Sequence, residues 1–240
     1  MGIPLEPQQR IEPPGGNLLR ELGGVSRGLA RWSRGRRQRR WLPRGSGEPV
    51  MVLPGFLTSD ASTLVLRRFL RRRGYRVHGW GLGLNRGDVY RLLPLLVERT
   101  RALAAAEGSP LRLVGWSLGG TLAREAAREA TEAVAQVVTL GSPVVGGPKY
   151  TLAARYYERV VGLDLDAVEE EVSAMTAEPV GVPITAIYSR RDQVVSWQAC
   201  LDRRDPDVEH VEVDASQFGL GLDPEVLAVV ARQLAKGCAS

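Results

Sequence analysis

The chain has 240 residues, 32 Lys+Arg against 27 Asp+Glu, two Cys, two His and 44% apolar side chains. That is enough for one sizeable domain with its own core, and two cysteines exclude a disulfide framework. No uninterrupted run of about 18 apolar residues is present, so no membrane-spanning helix is expected, and the first sixteen residues lack the basic-then-apolar pattern of a secretory signal.

Residues 1–16 are rich in Pro, Gly and Gln and read as a leader. Leu18, Leu22, Val25, Leu29 and Trp32 then recur at steps of four, three, four and three, which is one stripe of a helix. Gly23, Gly24 and Gly28 weaken that helix, so it needs a surface to lie on: the domain itself, or an anionic membrane as the sharper alternative. Arginines cluster at 27–44 and 67–76, while only two lysines occur. These clusters read as solvated helix faces with at most a weak contact between the arm and anionic surfaces, and no nucleic-acid partner is expected. "PRGSGEP" at 43–49 is a linker, so residues 1–48 form a basic arm and 49–240 the main domain.

From residue 50 strand and helix alternate. "VMVLPG" (50–55) is a buried strand. "SDASTLVLRRFLRRRG" (59–74) is a helix capped by Ser59 or Asp60 and stopped by Gly74. "YRVHGW" (75–80) is a second strand and "GLGLNRG" (81–87) a glycine-rich loop. Residues 88–108 are a long helix, bent at Pro94. "LRLVGW" (111–116) is the third strand, followed by a helix from Leu118. "AVAQVVTLGSP" (133–143) holds the fourth strand. Residues 142–182 form an insertion or cap with helical stretches around 149–161 and 166–176. "VPITAIYS" and "VEHVEVDAS" are the fifth and sixth strands, and a last helix starts at Pro224 with Asp223 as its cap. The alternation implies an α/β fold with a mostly parallel sheet of about six strands and helices on both faces.

Chemistry concentrates in a few segments. Gly115-Trp116-Ser117-Leu118-Gly119 reads G-x-S-x-G between a buried strand and an amphipathic helix, the context a nucleophile elbow requires. The alternative for Ser117 is a surface serine on a tight turn. Gly55 and Phe56 follow the first strand directly; with Leu118 after the nucleophile, Phe56 offers the second backbone N–H of an oxyanion hole, and Gly55 allows close approach of substrate. Asp192 follows the fifth strand, where it can orient a histidine or simply make an Asx-turn. Trp80, Trp116 and Trp197 are candidates for the substrate pocket.

These segments, "PGF" at 54–56, "GWSLGG" at 115–120, "LGSP" at 140–143, "TAIYSRRDQVVSWQAC" at 185–200 and "SQFGLGLDP" at 216–224, resemble the α/β-hydrolase superfamily, and within it a bacterial esterase/lipase-like branch. The resemblance covers about residues 50–236. It implies a triad of Ser117, Asp192 and a histidine acting on a small-molecule or lipid ester, with no cofactor and no metal. The histidine of the family's Ser-His-x-Gly-Leu-Gly motif is Gln217 here. An amide has no group titrating near neutrality and cannot take the proton of Ser117. The expectation is therefore a slow esterase acting through acyl-Ser117, or a disabled relative that serves as a binding or regulatory module. His78, near the carboxyl end of the second strand, is the one substitute base worth testing; His210 lies too deep in its strand. Cytoplasm is the default compartment.

Overall fold

The computed structural model describes residues 11–34 and 41–236. Six strands, β1 (Pro49–Leu53), β2 (Arg76–Gly79), β3 (Leu111–Trp116), β4 (Val134–Leu140), β5 (Ile184–Tyr188) and β6 (Val208–Glu212), form one sheet in the order β2-β1-β3-β4-β5-β6. Every pairing is parallel. Successive side chains of a strand point to opposite faces. Met51 and Leu53 accordingly join one apolar layer and Val50 and Val52 the other. The first layer is closed by α3 (Val89–Glu107) and α4 (Leu118–Glu129), through Leu93, Leu96, Leu122 and Ala123. The second is closed by α2 (Leu64–Arg72) and α7 (Pro224–Lys236), through Leu66, Leu70, Leu227 and Val230. No helix among the described residues is long and apolar enough to cross a membrane.

Helix boundaries follow local chemistry, with one correction. Asp88 caps α3 by accepting the N–H of Arg91, and Asp223 accepts the N–H of Glu225 ahead of α7. Neither Ser59 nor Asp60 caps α2. Residues 59–63 make successive turns, the helix starts at Leu64, and the Asp60 carboxylate instead takes the N–H groups of Trp80 and Gly81 beyond β2. Between β4 and β5 the chain forms a short helix α5 (Ala154–Tyr156), a wider turn (Tyr157–Val161) and α6 (Leu165–Met175), which stand over the carboxyl ends of the strands.

The N-terminal helix α1 (Leu18–Arg34) lies against α7 and the turn Gln217–Gly219, and of the apolar stripe it is Trp32 that packs on the domain. Leu22 is 60% exposed, and the side chains of Leu18 and Leu29 lie outside the described residues. The docked face is Glu21, Gly24 and Gly28, extended by Arg31 and Trp32. A Cβ on Gly24 would stand 2.3 Å from Ser216 Oγ, so the glycines that weaken the helix are what let it approach. Arg31 pairs with Asp223 at 2.9 Å and Asp214 at 3.2 Å, and Trp32 Nε1 donates to the Leu222 carbonyl at 3.0 Å. Deleting residues 1–34 is expected to lower the melting temperature by at least about 5 °C. An unchanged melting curve would show that these contacts contribute nothing to the stability of the folded chain.

Candidate active site

All the candidate segments leave carboxyl ends of parallel strands, where ligand sites of open α/β sheets form. Ser117 follows β3 and precedes α4, with φ 54° and ψ −128°. Such a backbone is strained for a side-chain-bearing residue and is held by its surroundings. Ser117 N–H donates to the Leu140 carbonyl of β4 at 2.8 Å. The turn closes only because its flanks are glycine: a Cβ on Gly115 would meet the Gly120 Cα at 2.3 Å, and one on Gly119 the Leu53 and Pro54 carbonyls at 2.6 Å. Leu118 is the first residue of α4, so its N–H has no acceptor within the helix.

Across from Ser117 runs the loop after β1. A Cβ on Gly55 would stand 3.2 Å from Ser117 Cβ, which places this loop in contact with the serine. Its shape depends on Asn85, a residue the sequence reading passed over in the glycine-rich loop. Asn85 is fully buried; its Nδ2 donates to the Pro54 carbonyl at 2.9 Å, its carbonyl accepts the Leu57 N–H at 2.7 Å, and its N–H donates to Thr58. The signal available in sequence was a lone amide between two flexible glycine turns, facing a loop that needs its backbone fixed.

Gln217 opens a short turn after β6 and is 2% exposed. Its Nε2 donates to the Gly141 carbonyl at 3.1 Å, and its own carbonyl accepts Trp116 Nε1 at 3.1 Å. Gly141 directly follows Leu140, the backbone partner of Ser117, so the Gln217 amide lies beside the serine turn. Its Oε1 is buried without a hydrogen-bond partner. No side chain among the described residues hydrogen-bonds to Ser117 Oγ.

Asp192 follows β5 and does make an Asx-type turn: Oδ1 accepts the N–H groups of Val194 and Val195, both at 2.8 Å. Its Oδ2 is buried and unpartnered. Burial pushes the Asp192 carboxyl up to about 8, against the pull of those two N–H groups and with help from the neighbouring Glu21 carboxylate. At neutral pH Asp192 therefore holds its proton in the main.

A cavity of about 760 Å³ opens at Ser117. Gly55, Phe56, Trp116, Leu118 and Gln217 line it, and residues of the 142–182 segment, including Tyr157, Leu163, Val172 and Met175, form its far wall. The other two candidate tryptophans lie elsewhere. Trp80 is fully buried in the core layer under α3, its Nε1 donating to the Gly83 carbonyl, because β2 ends one residue earlier and turns it inward. Trp197 stacks on Tyr188 at 6.0 Å and under Arg190, away from the cavity lining.

The two histidines do not reach the site either. His78 sits level with Met51 in the sheet, and its Nε2 is 2.7 Å from Glu107. Glu107 is the last residue of α3, shortly before β3 begins, so the ring is drawn toward the amino edge of the sheet, opposite Ser117. His210 on β6 accepts the Asp202 N–H, and burial lowers its pKa. Neither lines the cavity.

Solved structures similar to this chain include one from the metagenome-derived lipolytic enzymes LipS and LipT, with TM-score 0.62 and 21% identity over 83% of this chain and 97% of that one. A lipase-esterase related protein from Clostridium acetobutylicum gives TM-score 0.59 at 12% identity, over 81% and 97%. Alpha/beta hydrolase domain-containing protein 10 from mouse gives 0.56 at 17%, over 80% and 90%. No protein-family model matches the sequence, and neither does any curated protein. Six parallel strands in the order 2-1-3-4-5-6 with helices on both faces agree with these neighbours: the chain has the α/β-hydrolase fold.

Proposed function

We propose that the chain hydrolyses carboxylic esters slowly through an acyl-Ser117 intermediate, its cavity accepting an ester with a bulky apolar portion. The observation that carries this reading is the strained Ser117 turn, held against Gly55 at the mouth of a largely apolar cavity. Strain of this kind persists where the surrounding structure fixes it, and it exposes the hydroxyl. The N–H groups of Phe56 and Leu118 are the assigned donors to the oxyanion, and the α4 N-terminus favours the developing charge. What is missing is the base. Gln217 cannot accept the Ser117 proton, so the proton goes to solvent hydroxide, and turnover keeps only the contribution of binding and the oxyanion donors, about 10³–10⁴ over water. The fold-level likeness to lipolytic proteins supports the ester as reacting group. Each methylene buried in the cavity adds about 0.8 kcal/mol of binding, which favours apolar acyl or alcohol groups over short polar ones.

A second reading, a pocket that binds without turnover, draws on two observations: the Gln217 amide is tied to Gly141, and Asp192 keeps its proton at neutral pH. One experiment separates the two. A fluorophosphonate probe is expected to label wild-type protein slowly and Ser117→Ala not at all, with p-nitrophenyl ester turnover lost in the same variant. Equal turnover in both proteins would remove Ser117 as nucleophile; absence of both labelling and turnover in wild type would favour the binding module. The reading places the substrate outside any nucleic acid, and it leaves the basic arm at most a weak role at anionic surfaces.

A further inference from the structure

Helix α1 carries none of the hydrolase-like motifs, yet it delivers a carboxylate to the base of the site. Glu21 is fully buried. Its Oε1 accepts the N–H of Gln193 at 2.8 Å and of Gln217 at 3.2 Å, and its Oε2 accepts the N–H of Phe218 at 3.0 Å. Gln193 directly follows Asp192 on the loop after β5, whereas Gln217 and Phe218 belong to the turn after β6. One side chain therefore bridges the two loops that carry the acid and the base position. The bridge is reinforced from the same helix and the residues just before it: the Glu21 carbonyl accepts Ser216 Oγ at 3.0 Å, and Gly16 N–H donates to the Gln193 carbonyl at 3.0 Å.

Isolated surface carboxylates bring little order to a loop, but this one is removed from water and meets its need for partners entirely through backbone N–H groups. Backbone donors cannot rotate away as side chains can. Three of them converging on one carboxylate fix the spacing of the two loops as well as their distance from α1. The close packing of Gly24 on Ser216 and of Gly28 on Asp223, where a Cβ would lie 2.3 Å and 3.0 Å from the facing oxygens, leaves the helix little room to slide.

We propose that Glu21 is a positioning residue of the Ser117 site: it locks the Asp192 loop to the Gln217 turn, so that the N-terminal helix completes a site whose other parts all come from the α/β domain. The proposal rests on the ester-hydrolase reading for its kinetic consequence but not for the clamp itself. The Asp192 carboxyl lies close enough to feel the Glu21 charge, which agrees with the two carboxyls sharing one buried region.

Amide hydrogen exchange followed by NMR on the full chain tests the clamp without reference to turnover. In Glu21→Ala the Gln217 and Phe218 amides are expected to exchange at least about tenfold faster, with the β3 amides of Leu111–Trp116 unchanged. Glu21→Gln, which keeps an amide oxygen for Gln193 and Gln217, is expected to show a smaller rise and serves where the alanine variant loses its fold. Unchanged exchange at both residues in a folded variant overturns the clamp, whatever the enzyme does. The positioning role is read in a Gln217→His background: adding Glu21→Ala is expected to lower kcat at least about tenfold while KM moves less than about threefold, and Glu21→Gln to recover part of kcat. Faster exchange with kcat retained overturns the positioning role and leaves a structural clamp. A Gln217→His protein without turnover defeats the ester reading, and the exchange result alone then decides the clamp.

Discussion

Gln217→His is expected to raise hydrolysis of a short activated ester at least about 100-fold over wild type, a lowering of the barrier by about 2.7 kcal/mol. The backbone parts of the site are in place: Ser117 is held by Leu140 and Gly55, and the Phe56 loop by Asn85. The unpartnered Asp192 Oδ2 is the natural acceptor for an imidazole N–H arriving from position 217. The rate should rise with pH as the ring loses its proton, near about 6.5 if unperturbed. The Asp192 and Glu21 carboxyls favour the charged ring and displace that rise upward, and the ring in turn favours the ionised form of Asp192. Adding Asp192→Asn should remove most of the gain, since the imidazole then loses its fixed tautomer. A folded Gln217→His protein with no gain at any pH between 6 and 9 would show that the pocket has lost more than its base.

The second large effect concerns stability rather than rate. Asp192 titrates near 8 in the folded chain, far above the value of about 3.9 for an unfolded aspartate. Between those limits the folded state binds one more proton than the unfolded state, so the stability this group contributes at low pH is lost steadily as pH rises from about 4 to about 8. Asp192→Asn has no such slope, while its amide oxygen can still accept the Val194 and Val195 N–H groups. The variant is therefore expected to match wild type near pH 3.5 and to exceed it by several kcal/mol, on the order of 5, at pH 8. Urea midpoints at several pH values measure this directly. A constant difference across the range would mean that Asp192 is ionised in the folded protein.

Much of this was legible in the sequence because it rests on local signals. The strand–G-x-S-x-G–helix pattern placed Ser117 at a strained turn, and the spacing of apolar residues located all six strands to within a few residues. That the Gly55–Phe56 loop and Gln217 lie beside Ser117 likewise followed from their places after strands. What escaped depends on side chains far apart in sequence. Trp80 and Trp197 could not be assigned to core or cavity without knowing how β2 and β5 end. Asn85 supports Pro54 from 31 residues away, and the lone amide in "GLGLNRG" does not say which loop it will hold. The α1 stripe pointed to a docked helix, and Trp32 does pack on the domain, but the closest approach is made by a carboxylate and two glycines, which apolar periodicity does not mark.

The docking of α1 also sets an order of events during synthesis. Glu21 reaches Gln217 across 196 positions, and Arg31 reaches Asp223 across 192. The helix is made nearly 200 residues before these partners, so at about 5–20 residues per second it waits on the order of 10–40 s before those contacts can form. Throughout that interval the Glu21 carboxylate stays hydrated and the glycine-weakened helix has no surface to stabilise it. Closing so long a loop comes late in entropic terms as well. A nascent chain that has not reached residue 216 can assemble most of its sheet yet has nowhere to seat α1, and the cavity at Ser117 gains Gln217 and Phe218 only once that turn has been made.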